Sequence, residues 1–137
     1  MNYLIYDTET NGFPPHARMT QLAYCLFNDN GDILAIDQRF IKPDGWKIPK
    51  TEFFLNNGMT TERNEEFGIP VVDALNNFFV ALSQADYKIA HNHNFDVQIV
   101  HQMVRDPNFL WPPWWIISYL KSVTSTEIPT DYIGCTP

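Results

Sequence analysis

Two carboxylates close the first apolar segment of the chain. The stretch LIYDTETNG occupies positions 4–12 and places Asp7 and Glu9 where apolar residues would continue a buried strand. Side chains alternate along a strand, so both carboxylates face the same way. Two like charges on one face are costly unless a positive charge lies between them, and hard oxygen ligands of this kind suit Mg²⁺ or Mn²⁺. The pair predicts a divalent metal site, against the alternative of an ordinary acidic strand end in a chain with 16 Asp and Glu residues.

A second polar cluster lies in IAHNHNFD at positions 89–96, which contains His91, Asn92 and Asp96. It follows an apolar segment and enters a helical pattern, so Asp96 is expected in a first helical turn. If the segment at 86–91 neighbours the first strand, three carboxylates meet at one sheet edge, where open α/β sheets bind ligands. Taken singly, Asp96 could be a first-turn acid worth ~0.3–1 kcal/mol to the helix, and the other two could be loop caps. Two such clusters at adjacent strand ends favour a shared metal site.

Strands that position both clusters follow from apolar runs and turn signals, among them Asn11-Gly12 after the first strand. The second and third strands flank the sequence DNGD, which predicts a β-hairpin. The first strand is expected to lie between the hairpin strand and the last strand, running parallel to the latter. Strands are predicted at 2–7, 20–28, 33–41 and 86–91.

Helices are predicted between and after these strands. The clearest begins at Pro70 and has apolar residues three or four positions apart, which predict one apolar face formed by Val71, Leu75, Phe78, Phe79 and Leu82. Thr60 or Thr61 is expected to cap a helical turn rich in acidic residues. The order of elements indicates one α/β domain over residues 1–137, with a central sheet. Helices are predicted at 70–85 and 94–106, the second with Phe95, Ile99, Val100 and Met103 facing inward. The segment 51–59 is ambiguous, 109–120 is unassigned, and 121–137 is expected to be an irregular tail.

Composition limits the classes of function. The formal net charge is −7, so tight non-specific binding of duplex nucleic acid is not expected, although bound metal ions can offset site carboxylates and phosphates. No apolar run reaches the ~18 residues that span a membrane, and no signal peptide is visible after Met1. The two cysteines fit no metal-binding spacing and are expected to be free thiols in a reducing compartment.

Four segments of the chain resemble the DEDD 3′–5′ exonucleases, proofreading-type nucleases of the ribonuclease H-like fold. YDTETNG is similar to their D-x-E-T-x-G motif, and HNHNFD to their H-N-x-x-F-D motif. NNGMTTE at 56–62 resembles the G-I-T-x-E segment between them, and FIKPDG resembles a strand that ends in K-P. The likeness runs from residue 3 to about residue 100, and phage and bacterial members are especially similar. It implies a mixed central sheet with flanking helices.

The resemblance implies a two-metal site for Mg²⁺ or Mn²⁺, with Asp7, Glu9 and Asp96 as ligands and catalytic residues. The implied reaction is hydrolysis of the terminal phosphodiester, which releases 5′-mononucleotides. The implied partners are 3′ ends of single-stranded DNA or RNA, and the sequence does not distinguish the two. A cytoplasmic location in a bacterial or phage-infected cell, without membrane association, is expected.

Five further residues are expected to contact the substrate by the same resemblance. Thr10, Gly12 and Phe13 correspond to the seat of the 3′-terminal nucleotide, where Phe13 could stack on the last base. The alternative for Phe13 is a core residue that anchors its loop. His91 and Asn92 belong to the second motif and complete the predicted substrate-binding set.

The third motif of the family, H-x₄-D or Y-x₃-D, is not found in its expected place. His101 to Asp106 matches the spacing, but it lies on the same predicted helix as Asp96. Asp106 is ten residues beyond Asp96, ~15 Å along the axis, so both cannot bind one metal pair. Pro107 also ends that helix.

The sequence therefore predicts a family domain that is C-terminally incomplete, cut before its last helix. The fourth acid and the general base are absent from the 137 residues, so the metal site is expected to be incomplete and exonuclease activity weak or absent. The alternative function is a catalytically dead binding or inhibitor module. The face left by the missing helix suggests a homodimer.

Overall fold

The computed structural model describes residues 1–12, 16–90, 98–100 and 102, and the backbone of 124–127. These residues form a mixed five-stranded sheet with helices. The helices are α1 Glu52–Asn56, α2 Thr61–Phe67 and α3 Val71–Ser83. The strands are β1 Asn2–Thr10, β2 Met19–Asn28, β3 Ile33–Phe40, β4 Tyr87–Ala90 and β5 Thr124–Glu127.

The strand order is β3-β2-β1-β4-β5. β1 pairs antiparallel with β2 and parallel with β4, and β2 pairs antiparallel with β3. The first strand thus lies between the hairpin strand and the last predicted strand, as the sequence predicted. Asn28 forms the hairpin turn because its side-chain oxygen accepts from the backbone N–H groups of Asn30 and Asp32, both at 3.0 Å.

One face of the sheet packs against α3 and forms the core. Phe78 lies 5.4 Å from Tyr6 of β1 and 5.7 Å from Tyr24 of β2, measured between ring centroids. All five apolar residues predicted to line one side of this helix are buried, which confirms its orientation. They are Val71, Leu75, Phe78, Phe79 and Leu82.

A helical segment at 98–100 contributes Ile99 and Val100 to the same core, as predicted. The rest of the helix predicted at 94–106 lies outside the described residues, except for helical Gln102. No helix in the part of the chain that the structure describes is long and apolar enough to cross a bilayer.

The helix α2 is fastened to the end of β3. Thr60 caps it by accepting a hydrogen bond from the Arg63 backbone N–H at 3.1 Å, as predicted. Asn64 is 1% exposed, and its side-chain amide donates to the carbonyls of Thr20 and Ile41 at 2.8 and 3.0 Å. Because these carbonyls lie at the start of β2 and just beyond β3, one buried amide fixes α2 to the sheet.

Two strands differ from the sequence predictions. β1 extends to Thr10, three residues beyond the predicted end, because its pairing with β2 continues as far as Met19. β5 lies within the segment predicted to be an irregular tail, and it pairs parallel with β4. Its sequence, TSTE, is polar, and backbone hydrogen bonds to a neighbour rather than an apolar pattern define it as a strand. The ambiguous segment at 51–59 contains the one-turn helix α1.

Candidate active site

Asp7 and Glu9 lie on the face of β1 opposite to the α3 core. Leu4, Tyr6 and the two threonines that follow are buried, whereas Asp7 and Glu9 are exposed. The predicted shared face of the two carboxylates is therefore confirmed. Across the antiparallel ladder, Asp7 is paired with Ala23 and Glu9 with Gln21, so β2 places a small and an uncharged side chain beside the acids.

The parallel neighbour of β1 ends beside this pair. Ile5 is paired with Ile89, so Ala90, the last residue of β4, lies level with the residue before Asp7. The second motif begins directly after Ala90, at the carboxyl ends of two adjacent parallel strands, where α/β sheets bind ligands. His91, Asn92 and Asp96 lie outside the described residues, so the convergence of three carboxylates stays a prediction.

The turn after β1 is braced by the side chain of Thr10. Thr10 is 9% exposed, and its hydroxyl donates to the Gly12 carbonyl at 2.7 Å. A Cβ atom added to Gly12 would meet nothing within 4 Å, so open space surrounds this position. Three residues are predicted to contact the terminal nucleotide. Thr10 stabilises the turn and Gly12 is surrounded by open space, whereas Phe13 lies outside the described residues.

Asn11 holds together three segments at this end of the sheet. Its side-chain oxygen accepts from the Arg18 backbone N–H at 2.7 Å, and its amide donates to the Lys47 carbonyl at 3.0 Å. Its own backbone N–H donates to the Arg18 carbonyl at 3.1 Å. The Asn–Gly pair read from the sequence as a turn signal thus also joins the loop at 42–49 to the β1–β2 connection.

Replacement of Asn11 by alanine is expected to destabilise the fold by about 1–3 kcal/mol, since two side-chain hydrogen bonds worth about 0.5–1.5 kcal/mol each are lost. Urea unfolding monitored by circular dichroism measures this difference. Asn57→Ala is a matched control because its amide makes one exposed bond, to the Phe53 carbonyl. An Asn11→Ala chain as stable as the parent would contradict the role of Asn11 in joining these segments.

Charge is unevenly distributed along the strands. At the end opposite to Asp7, the amino terminus and the Tyr3 hydroxyl both donate to Asp29 at 2.7 Å. These hydrogen bonds lower the pKa of Asp29 and raise the pKa values of the amino terminus and Tyr3. On β4, burial lowers the pKa of Lys88. Neither effect involves the candidate site, whose carboxylates lie at the other end of β1.

The residues present suit a divalent metal in their donor chemistry. Two carboxylates on one exposed strand face offer hard oxygen ligands of the kind that Mg²⁺ and Mn²⁺ prefer. Within residues 1–12, 16–90, 98–100 and 102, no three His, Cys, Asp or Glu side chains are grouped to hold a metal ion. Asp7 and Glu9 thus supply a pair, and the predicted third ligand, Asp96, lies outside the described residues.

We expect weak binding of Mn²⁺ that depends on Asp7, because the predicted ligands Asp7, Glu9 and Asp96 lack the fourth carboxylate and so should hold a divalent ion less tightly than a complete ligand set. Isothermal calorimetry on the parent and on Asp7→Asn measures it. The exposed Asp73 in the first turn of α3 provides a charge-matched control, Asp73→Asn. Equal heats from the parent and Asp7→Asn would contradict a metal site at Asp7.

Comparison with known proteins relates the chain to solved nuclease structures. E. coli exonuclease I in complex with a dT13 oligonucleotide matches with a TM-score of 0.71 and 19% sequence identity, over 92% of this chain and 27% of that chain. Its complex with a dA16 oligonucleotide gives 0.70 and 20%, over 92% and 28%. A product-bound exonuclease I structure gives 0.71 and 19%, over 92% and 29%. No family model and no curated protein sequence matches the chain.

The chain has the nuclease fold of exonuclease I. The predicted α/β class, a ribonuclease H-like mixed sheet with flanking helices, is thereby confirmed. The chain spans little more than a quarter of the length of these structures, and at 19–20% identity the likeness concerns the fold alone.

Sequence reasoning missed several residues at this end of the nuclease fold. Asn11 was read only as a turn signal, and Arg18 and Lys47 received no role. One signal was available for Arg18, because it stands between Ala17 and Met19, which are 3% and 1% exposed. An alternating small–basic–apolar sequence at a strand entrance predicts that the basic side chain faces away from the core.

Proposed function

We propose that the chain is a metal-dependent 3′–5′ exonuclease domain that acts on single-stranded nucleic acid. One observation carries the proposal: Asp7 and Glu9 share the exposed face of β1, beside the end of the parallel strand β4. The nuclease fold and the D-x-E-T-x-G and H-N-x-x-F-D segments support it, since the first segment begins in β1 and the second follows directly in sequence after Ala90, the last residue of β4.

In this proposal Asp7, Glu9 and Asp96 would hold Mg²⁺ or Mn²⁺. When bound, divalent ions of this kind stabilise the charge that develops on the attacking and leaving oxygens of a phosphodiester. Gly12, which has open space around it, would let the sugar of the last nucleotide approach the backbone. Thr10 would keep that turn in shape through its bond to the Gly12 carbonyl. Phe13, His91 and Asn92 would complete the contacts to the nucleotide.

A single strand suits this site better than a duplex. A net charge of −7 argues against tight non-specific duplex binding, which depends on many basic residues that contact phosphates. Two of the matching exonuclease I structures contain the oligonucleotides dT13 and dA16. Single-stranded DNA is therefore the first substrate to examine, with RNA beside it, and the cytoplasm of a bacterial or phage-infected cell is the proposed place of action.

The second candidate function is a non-catalytic module that binds nucleic acid or another nuclease. It is favoured by the sequence, which contains no third motif in the expected position among its 137 residues. Such a module would bind single strands as the first proposal requires, but it would not shorten them. Binding without hydrolysis would therefore separate the two functions.

The deciding experiment follows the ends of a labelled single strand. Oligodeoxynucleotide and oligoribonucleotide carrying a 5′ label are incubated with the chain in Mg²⁺ and in Mn²⁺. Stepwise shortening from the 3′ end that Asp7→Asn removes and Asp73→Asn retains would support the exonuclease. Cleavage of a circular single strand would contradict it, because an exonuclease requires an end. Absence of shortening by the parent in either metal would leave the binding module as the better description.

A further inference from the structure

Three basic side chains surround the end of the sheet that carries Asp7 and Glu9. β1 ends, β2 begins and β3 ends there, as the pairing of Glu9 with Gln21 and of Gln21 with Phe40 shows. Arg18 precedes β2, Lys42 follows β3, and Lys47 lies in the next loop. All three are exposed. Within the described part of the chain, none of their side chains forms an ion pair.

Arg18 and Lys47 are held beside each other by the Asn11 amide group. The amide oxygen accepts from the backbone of Arg18 and the amide nitrogen donates to the backbone of Lys47, at 2.7 and 3.0 Å. The two basic residues therefore flank one side chain that lies two positions beyond Glu9. Their backbones are fixed before any ligand binds, which lowers the entropic cost of using them together.

Alternation along the strands places Arg18 on the same side of the sheet as Glu9. Met19 is paired with Thr10, and both are buried on the core face. Arg18 directly precedes Met19, and Glu9 directly precedes Thr10. Both are exposed and therefore point to the face opposite to the core. The Asn11 backbone N–H donates to the Arg18 carbonyl at 3.1 Å, so Arg18 lies on the neighbouring segment opposite Asn11, two positions beyond Glu9.

Exposed acidic groups also lie at the other end of the strands. Asp29 and Asp32 lie in the β2–β3 turn, and Asp86 lies directly before β4. The backbone N–H of Asn2 donates to Asp86 at 2.8 Å, which places this acid at the start of β1. A polyanion is therefore repelled from that end, whereas Arg18, Lys42 and Lys47 provide positive charge beside Asp7, Glu9 and Asp44 at the end that carries the candidate site.

We propose that Arg18 and Lys47 bind backbone phosphates of a single-stranded nucleic acid whose 3′ end lies at Asp7 and Glu9. This inference rests on the proposed function and names the residues that hold the strand beyond its terminal nucleotide. Phosphate contacts from arginine and lysine fix the position of a strand without reading its sequence. The proposal therefore predicts binding with little base preference.

The test compares two double variants that remove the same charge. Arg18→Gln/Lys47→Gln removes the proposed contacts. Arg39→Gln/Lys50→Gln removes two basic residues that already face Asp37 at 2.9 Å and Glu62 at 3.9 Å. Binding of fluorescent oligothymidylate and oligouridylate is measured by anisotropy in EDTA, which prevents hydrolysis, between about 50 and 200 mM salt.

The logarithm of the association constant falls as the logarithm of the salt concentration rises, and each lost phosphate contact on a single strand makes this slope about 0.7 less steep. The first variant loses two contacts, so its slope should be about 1.4 less steep than that of the parent. Its affinity at the lowest salt should fall on the order of tenfold per contact. The second variant should match the parent in both respects. Equal slopes for the two variants, or a parent that binds neither oligonucleotide, would overturn the proposal.

The same samples distinguish this inference from the proposed function. If the parent shortens oligonucleotides and both double variants bind them alike, the exonuclease stands and the phosphate contacts are wrong. If only Arg18→Gln/Lys47→Gln loses affinity and the parent shortens nothing, the phosphate contacts stand and the exonuclease is wrong. A circular dichroism spectrum of each variant shows whether it keeps the parent fold.

Discussion

The isolated 137-residue chain is expected to turn over single-stranded oligonucleotides well below ~1 s⁻¹, the lower end of the range typical of enzymes, and Asp7→Asn is expected to remove the remaining activity. Exonuclease chemistry of the proposed kind needs a base that accepts a proton from the attacking water. General acid–base catalysis alone contributes typically 10²–10⁴-fold, and the sequence offers no third-motif histidine in the expected position. An incomplete ligand set would reduce the rate further.

Rates of 3′ shortening per protein molecule, measured in Mg²⁺ and Mn²⁺ with oligonucleotide in excess, test this expectation. Asp73→Asn provides the control because it removes one exposed carboxylate at the start of α3, away from the strand end. Parent turnover at ~1 s⁻¹ or above, abolished by Asp7→Asn, would show that residues 1–137 contain every group the reaction needs. It would also exclude the binding module as the sole function.

The face on which Asp7 and Glu9 lie could be predicted from the sequence because strand alternation has a fixed period of two. Leu4 and Tyr6 set the phase, and a shift by one residue would have buried both carboxylates. The length of β1 could not be predicted in the same way. Thr8 and Thr10 are polar, yet they are buried at 4% and 9% exposure because β2 continues to pair with them.

Features that depend on contacts between distant segments were the ones that sequence patterns did not indicate. β5 has the polar sequence TSTE and is defined by parallel pairing with β4, more than 30 positions earlier in the chain. The buried Asn64 resembles an ordinary helix surface residue until its bonds to Thr20 and Ile41 are seen. The roles of Asn11 in joining Arg18 and Lys47 were hidden for the same reason, since the partners are 7 and 36 positions away.

Gly68→Ala is expected to cost at least ~3 kcal/mol of folding free energy. A Cβ atom at Gly68 would lie closest to the Asn64 carbonyl oxygen, 2.6 Å from the Lys42 nitrogen and 2.8 Å from the Ile41 carbonyl carbon. All three are backbone atoms, so no side chain can turn aside. Overpacking typically costs ~1–3 kcal/mol, and moving the backbone here would also break hydrogen bonds worth ~1 kcal/mol each.

The hydrogen bonds at risk are those that join α2 to the end of β3. The Lys42 backbone N–H donates to the Ile69 carbonyl at 2.8 Å, and the Ile69 N–H donates to the Phe40 carbonyl at 2.9 Å. Their loss would release the loop that begins at Lys42 from the end of the sheet where Asp7 and Glu9 lie. Gly68→Ala should therefore weaken the candidate site as well as the fold, although Gly68 contacts neither carboxylate.

Urea unfolding of Gly68→Ala beside Gly12→Ala isolates this steric effect. Gly12 has nothing within 4 Å of an added Cβ atom, and its φ angle is not positive. The free energy of unfolding of Gly12→Ala should therefore stay within ~0.5 kcal/mol of that of the parent. Gly12→Ala then becomes informative about function, since a folded variant with weaker oligonucleotide binding would assign the open space above Gly12 to the substrate. Parent-like stability of Gly68→Ala would mean that the end of α2 does not pack on residues 41–42 as closely as the structure shows.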